Sequence, residues 1–231
     1  MLNLASVAAN IQGNKVEIDT RLVARTVEQR KLLRPPWWVV GSAAFLFQVE
    51  DELCVALVQR THDTSHPCRW ALIPAGVADN IYELHHPSFI VGREAVEELR
   101  IFKDDNLISP FAVSDLLSTN QIEIYDRATD KTYYDAGDIY IYGKQVFFCM
   151  TLRVREDISN LILSDGEESF LRRSPLERMI ALVSIDKLSG LVTPVKMYQY
   201  EQEIPVREIG LTSFETPTLE WFRGMARNLD V

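Results

Sequence analysis

The stretch SFIVGREAVEELRIF, residues 88–102, decides how the fold of this chain is interpreted. Ser88 can cap a helix, and the residues that follow it as far as Ile101 favour a helix in spite of Gly92. Three glutamates within the stretch are spaced i, i+3 and i+4, and these are Glu94, Glu97 and Glu98. Because this spacing covers about 100° of a helical wheel, we expect the three carboxylates to share one face.

The same wheel separates apolar from basic residues. The apolar strip consists of Val91, Ala95, Val96 and Leu99. Arg93 and Arg100 lie together on the flank between Val96 and Glu97. We therefore predict a helix that packs through its apolar strip and still presents its carboxylates.

Three carboxylates on one helix face are suited to a hard divalent cation. Like charges at this spacing cost a few tenths of a kcal/mol per pair, and a bound dication would reverse the sign of that term. Carboxylate oxygens suit Mg²⁺ or Mn²⁺, which keep several waters and reach substrate phosphates. The alternative is the solvated acidic face of an ordinary surface helix. On these residues alone both interpretations stay open.

Composition limits the class of protein and of partner. The chain has 231 residues, 47% of them apolar, which predicts one large domain or a domain with an extension. With 24 Lys and Arg against 33 Asp and Glu, the net charge of -9 argues against binding nucleic acid and favours a small-molecule partner. The sequence contains no apolar run long enough for a membrane span, its start lacks the order of a secretory signal, and its three cysteines are scattered. We expect a cytoplasmic protein with no membrane partner.

Outside the glutamate stretch the sequence predicts mainly strands, with a helix towards each end. The predicted helices are 19–34, with Asp19 and Thr20 as caps, and a closing helix that begins at Thr216 or Thr218. The predicted strand segments are 37–49 and 53–60 as a hairpin, 121–136 as a hairpin that turns at 128–131, 138–154, and 179–186. Residues 70–77, WALIPAGV, combine a short strand with an enforced turn at Pro74 and Gly76.

The glutamate stretch, together with the turn before it, resembles the Nudix box. That motif reads Gly, five residues, Glu, seven residues, then Arg-Glu-apolar-any-Glu-Glu-any-Gly-apolar, and REAVEEL at 93–99, followed by Ile101, matches its core. The segments 58–60 and 70–76 are also similar to what precedes the box in that family. The resemblance covers 37–101 with some specificity, and 102–190 only through compatible strands. It implies an α/β fold, a sandwich of helices around a mixed β-sheet.

The resemblance also implies a function and a ligand set. In the family, helix glutamates and a carbonyl of the glycine turn bind the metal, which here corresponds to Gly76, Glu94, Glu97 and Glu98. Arg93 would hold the geometry by pairing with a glutamate, and Glu97 or Glu98 would serve as ligand or base. The implied activity is metal-dependent hydrolysis of a diphosphate linkage in a nucleoside diphosphate linked to another group, by a possible homodimer. The expected domains are an N-terminal helical extension at 1–36, a Nudix-like domain at 37–200, and a C-terminal helical segment at 201–231 packed on it.

The sequence departs from the motif in two places, and the longer loop with its missing glutamate supports a second hypothesis. Gly76 and Arg93 are 17 positions apart where the pattern asks for 14, so that His85 falls on the position of the loop glutamate and Glu83 is an imperfect substitute. Arg100 replaces the late glycine, which suggests that the helix runs on. The alternative function is therefore a catalytically weak or inactive protein of the same fold that binds a ligand or regulates.

Other residues compete for a functional role, and each also has a plainer explanation. Arg60 and Arg69 flank the loop before the glycine turn and could clamp a substrate phosphate, although exposed arginines are common. A loop pair of acids is a candidate general base or a plain surface loop: Glu167 and Glu168. All histidines lie near Cys68 without the spacing of a zinc motif: His62, His66, His85 and His86. Two adjacent aromatic residues could stack on a base or pack in the core: Trp37 and Trp38.

Overall fold

A computed structural model describes residues 13–21, 38–60, 68–118, 120–142, 145–166, 178–211 and 217–226. The chain divides into two compact units. The first unit consists of 1–42, 75–92 and 117–150, and the second of 43–74, 93–116 and 151–231. The predicted helix at 19–34 lies almost entirely outside the described residues, and the expected domain limits at 36 and 200 stay a prediction.

Strands predominate over helices. The strands are β1 Lys15–Ile18, β2 Trp38–Val49, β3 Glu52–Gln59, β4 Trp70–Leu72, β5 Ala75–Val77, β6 Leu99–Lys103, β7 Asn106–Ile108, β8 Ser114–Leu116, β9 Gln121–Asp126, β10 Lys131–Ala136, β11 Asp138–Tyr142, β12 Gln145–Val154, β13 Leu161–Asp165, β14 Ile180–Ser184, β15 Gly190–Val192, β16 Lys196–Gln199, β17 Gln202–Ile204 and β18 Ile209–Leu211. The helices are α1 Ile81–His85, α2 Ser88–Glu98 and α3 Pro217–Ala226, with short 3-10 turns at Pro110–Val113, Ile158–Asn160 and Ile185–Lys187. The predicted α/β fold with a mixed β-sheet is confirmed, because strands pair both parallel and antiparallel.

The first unit contains a three-stranded sheet in the order β1-β9-β10. β1 runs parallel to β9, and β10 returns antiparallel through the turn predicted at 128–131. In the same unit the start of β2 pairs with β5, which sets Gly41 opposite Gly76. A Cβ on Gly41 would lie 2.6 Å from the Cβ of Ile90, so only glycine lets α2 approach the strand this closely. The core of this unit includes Val16, Ile18, Val39, Ala78, Leu84, Ile90, Ile122, Ile124, Val146 and Phe148.

The second unit is built on the strand order β2-β3-β14-β16-β17, with β4 added to β3. The predicted hairpin of β2 and β3 is confirmed, and so are the strand at β14 and the closing helix α3. A second sheet has the order β13-β6-β7, and β15 pairs with β18. One face of the main sheet packs with α3 in a core that includes Leu46, Val55, Leu57, Trp70, Leu72, Val183, Met197, Leu219 and Phe222. No helix in the described part of the chain is both long and apolar enough to cross a membrane.

The structure corrects two predictions about the glutamate helix. Helix α2 ends at Glu98 and does not continue to Ile101, because β6 begins at once and pairs antiparallel with β13. In a strand, Leu99 and Ile101 face the same way and both are buried, which a helix would not allow. Val96, which was predicted to pack in the apolar strip, is 65% exposed. Arg100 therefore needs no left-handed backbone, since it lies within a strand.

Candidate functional site

The three glutamates of α2 lie in three different environments. Glu97 is exposed, Glu94 is half-buried and Glu98 is buried. The reason for the burial of Glu98 is its position three residues after Ala95, a residue that is itself fully buried on the same side of the helix. A carboxylate in such a position requires a cation or hydrogen-bond donors, because the ionised group has lost its water.

Arg93 contacts the two more accessible glutamates. Its Nη1 lies 2.5 Å from Oε1 of Glu94 and 3.7 Å from Oε2 of Glu97. The second contact is an i,i+4 pair on a partly exposed helix surface, where such pairs contribute about 0.3–0.5 kcal/mol. One guanidinium therefore draws both carboxylates to the same place, and it holds Glu97 more weakly than Glu94.

Glu98 belongs to a separate and more deeply buried group. The guanidinium of Arg178 forms a two-bond fork with Asp165, with Nε 2.6 Å from Oδ2 and Nη2 2.7 Å from Oδ1. The same Nη2 lies 3.3 Å from Oε1 of Glu98. The side chains of Arg178, Glu98 and Asp165 are only 8%, 11% and 1% exposed. Buried ions in such a group are strongly interdependent, because removal of one partner leaves an uncompensated charge.

Strand β13 brings Asp165 to this position and also closes the end of the helix. The residue after the strand, Gly166, donates its N–H to the carbonyl oxygen of Glu98 at 3.1 Å. A Cβ at Gly166 would lie 2.0 Å from the carbonyl oxygen of Glu97, so that no other residue fits without a backbone shift. The last turn of α2 is therefore held by backbone contacts from a strand more than sixty positions later in the chain.

The donor set of α2 suits the divalent cation that the resemblance implies. Carboxylate oxygens are the ligands that Mg²⁺ and Mn²⁺ prefer, and the contacts with two guanidinium groups show that positive charge is stabilised there. Within the described ranges, however, no three His, Cys, Asp or Glu side chains are already arranged as a metal-binding group. In this structure the arginines supply the positive charge, and a cation would have to take oxygens from them.

The predicted phosphate-binding arginines lie opposite one another in the second unit. The N–H of Arg60 donates to the carbonyl oxygen of Arg69 at 2.8 Å, and the N–H of Cys68 donates to the carbonyl oxygen of Arg60 at 3.0 Å. These bonds bring together the two ends of the segment 61–67, which itself lies outside the described residues. The phosphate role of both arginines stays a prediction. The same holds for the metal role of Gly76, which lies in β5 of the first unit.

Glu83 has a local structural role in the first unit. The carboxylate of Glu83 accepts the N–H of Asp79 at 2.7 Å, and the N–H of Glu83 donates to Oδ1 of Asn80 at 3.0 Å. These are the bonds of a capped helix start, so the carboxylate that was an imperfect substitute in the motif helps to begin α1.

His85 also has structural partners, in a buried polar cluster of the first unit. Its ring stacks on Tyr133 at 3.8 Å, and its Nε2 lies 3.0 Å from Oδ2 of the fully buried Asp126. Asp126 also accepts hydrogen bonds from the hydroxyls of Thr20 and Thr129. Burial by itself would raise the pKa of Asp126, but hydrogen bonds from the Ala128 N–H and from these side chains outweigh it and lower that pKa. Five of the other residues weighed for zinc, base or stacking roles lie outside the described residues: Trp37, His62, His66, Glu167 and Glu168.

Sequence reasoning missed Asp165 and Arg178 as members of the glutamate site. The signal that could have found them is their position, since Asp165 ends an apolar strand segment and Arg178 comes just before another. A charged residue that borders a buried strand often needs an oppositely charged partner nearby. That signal indicates that each residue has an oppositely charged partner, but it does not identify the partner.

Comparison with known proteins does not establish a family for this chain. No family profile matches the chain, and no curated protein sequence matches it. Among solved structures, the chain is similar to a crystal structure of a MutT/nudix family protein from Enterococcus faecalis, with 14% sequence identity and a TM-score of 0.33. The alignment covers 84% of this chain and 62% of that one, so this chain spans less than two thirds of the other protein. A TM-score of this size does not establish family membership.

Proposed function

We propose that this protein binds Mg²⁺ or Mn²⁺ through the glutamates of α2 and hydrolyses a diphosphate linkage in a nucleoside diphosphate linked to another group. The observation that carries the proposal is the last turn of α2, where Glu94 and Glu97 converge on one guanidinium and Glu98 follows directly. The sequence REAVEEL supports it, because these residues match the core of the Nudix box.

Each residue of the site has a distinct part in this proposal. Glu94 and Glu97 offer oxygens at the accessible side of the helix, and Arg93 positions both carboxylates. Glu98 offers an oxygen from the buried side. When bound, the cation would neutralise charge on the phosphates and lower the pKa of a bound water. Arg60 and Arg69 would bind a substrate phosphate, and a displacement needs such positioning as much as it needs charge.

The test is turnover by the purified full chain with Mg²⁺ or Mn²⁺ and a panel of nucleoside diphosphate conjugates. Glu97→Gln is expected to lower kcat by about 100-fold or more if Glu97 is a ligand or base. Because Glu97 is exposed, this variant should keep the melting temperature of the wild type. Glu203→Gln is the matched control, since Glu203 is a similarly exposed glutamate paired with Lys196. No turnover of any compound, or turnover that Glu97→Gln retains, would overturn the proposal.

The second candidate function is ligand binding without hydrolysis. It is favoured by the contact of each α2 glutamate with an arginine, Arg93 or Arg178, in this structure. A protein of this kind would bind a member of the same panel and gain thermal stability without cleaving it. At a hundred times the dissociation constant, the gain in unfolding free energy is about 2.7 kcal/mol. A rise in melting temperature with unchanged ligand, measured by chromatography after incubation, would distinguish it from the hydrolase.

A further inference from the structure

The buried guanidinium of Arg178 contacts two carboxylates of the described residues, and it holds them unequally. Its bonds to Asp165 are short and paired, whereas its contact with Glu98 is a single one at 3.3 Å. Paired, charge-assisted bonds of this kind are the strong ones, and a single long contact is weaker. Asp165 therefore anchors the guanidinium, which reaches Glu98 with the second N–H of Nη2 and can release Glu98 without leaving its anchor.

The burial of the group makes this weak contact consequential. The Glu98 side chain is 11% exposed, so its carboxylate depends on nearby positive charge and not on water. A divalent ion at Glu98 would supply that charge, but it would also repel the guanidinium at close range. Arg178 and a divalent ion therefore cannot both hold the same Glu98 oxygen favourably.

At Glu97, Arg93 does not present the same obstacle. Its partner Glu97 is 43% exposed, so both groups are solvated when they separate. Screening by water keeps the contribution of such pairs small. Glu94, which is 14% exposed and 2.5 Å from Arg93, is held more firmly than Glu97, and Glu98 at 11% is the most buried of the three.

We propose that Arg178 is a positioning residue that competes with the divalent cation for Glu98 and thereby sets how tightly this chain holds the metal. This inference rests on the proposed function, because it assumes that the glutamates of α2 are the metal ligands. In the absence of metal, the positive charge of Arg178 holds the Glu98 carboxylate in place. When metal binds, the guanidinium leaves Glu98 and keeps its fork with Asp165.

The test is direct measurement of Mn²⁺ binding to the full chain by calorimetry, and by the electron paramagnetic resonance signal of free Mn²⁺. Arg178→Gln is expected to bind Mn²⁺ about tenfold more tightly than the wild type, because the competing charge is gone. Arg178→Lys keeps a charge but cannot form the fork, so its affinity for Mn²⁺ should lie between those of the wild type and Arg178→Gln. This variant replaces Arg178→Gln in the test if Arg178→Gln does not fold. Arg155→Gln is the control, since Arg155 pairs with Asp115 at an exposed position in the same unit. It should bind as the wild type does.

The double variant Glu98→Gln, Arg178→Gln localises the effect, and it should lose the gain in affinity. Tighter binding in the Arg178 variants supports the inference, including the case in which the wild type binds no Mn²⁺ and a variant does. Wild-type binding that the Arg178 variants leave unchanged or weaken overturns the inference while the proposed function stands. If neither the wild type nor any variant binds Mn²⁺ at millimolar concentration, both proposals fail together.

Discussion

Replacing Gly166 with alanine tests how strand β13 holds the end of the glutamate helix. The added Cβ would lie 2.0 Å from the carbonyl oxygen of Glu97. Real Cβ atoms essentially never lie closer than 3.0 Å to such a neighbour. The two backbones must therefore move apart by about 1 Å, which also breaks the 3.1 Å bond from the Gly166 N–H to Glu98. Overpacking of this kind costs about 1–3 kcal/mol. The lost hydrogen bond adds about 1 kcal/mol.

We therefore expect Gly166→Ala to lower the free energy of unfolding by about 2–4 kcal/mol. In a chain of this size, that corresponds to a fall in melting temperature of about 5–15 °C. Urea denaturation followed by circular dichroism measures the free energy, and calorimetry measures the melting temperature. Because the shift displaces the backbone of Glu97 and Glu98, the variant should also bind Mn²⁺ more weakly than the wild type does.

Gly92→Ala is the matched control, because it adds the same methyl group to the same helix. A Cβ at Gly92 would meet nothing within 4 Å. Alanine is the better helix former, so this variant should gain about 0.5–1 kcal/mol of stability. If Gly166→Ala is as stable as the wild type, or if both variants lose stability to the same extent, the reasoning from close backbone contact is refuted.

Three further predictions concern the buried parts of the chain. Asp126→Asn should lower the free energy of unfolding by about 1–3 kcal/mol, because buried donors lose their acceptor. Since the pKa of Asp126 is lowered in the folded state, its contribution to stability is complete above pH about 4 and is lost as the pH falls further. Urea titrations from pH 2.5 to 7 should therefore show that the variant loses less stability in acid than the wild type does. Burial raises the pKa of Cys54 to about 12 and that of Cys149 well above its usual value, so Ellman's reagent at pH 8 should label only the exposed Cys68 in the folded chain and all three thiols in urea. Gly41→Ala should lower stability by about 1–3 kcal/mol in the same denaturation assay, because its Cβ would meet the facing helix at 2.6 Å, and unchanged stability would contradict that packing.

Features with a local cause could be predicted from the sequence. The turn at 128–131 and the hairpin of β2 and β3 follow from short polar links between apolar segments. The closing helix followed from its capping residues and good helix formers. The type and position of the glutamate helix also followed from its pattern, although its end did not. In each case the residues that decide the structure lie within about ten positions of one another.

The end of α2 could not be predicted, because its cause lies elsewhere in the chain. Leu99, Arg100 and Ile101 are compatible with a helix as well as with a strand. They form β6 because β13 provides a pairing partner, with Asp165 opposite Leu99. Tertiary pairing of this kind overrides local preference whenever it buries alternate side chains, as it does here for Leu99 and Ile101.

By itself, the sequence determined that three glutamates lie within one turn of a helix, because the spacing of residues along a helix is a local property. What those carboxylates contact depends on how distant parts of the chain pack together. Glu98 and Arg178 are 80 positions apart, and no periodicity or turn residue signals a contact over such a distance. The buried charge of Glu98 and its arginine partner therefore exist only once β13 and the end of α2 have packed together.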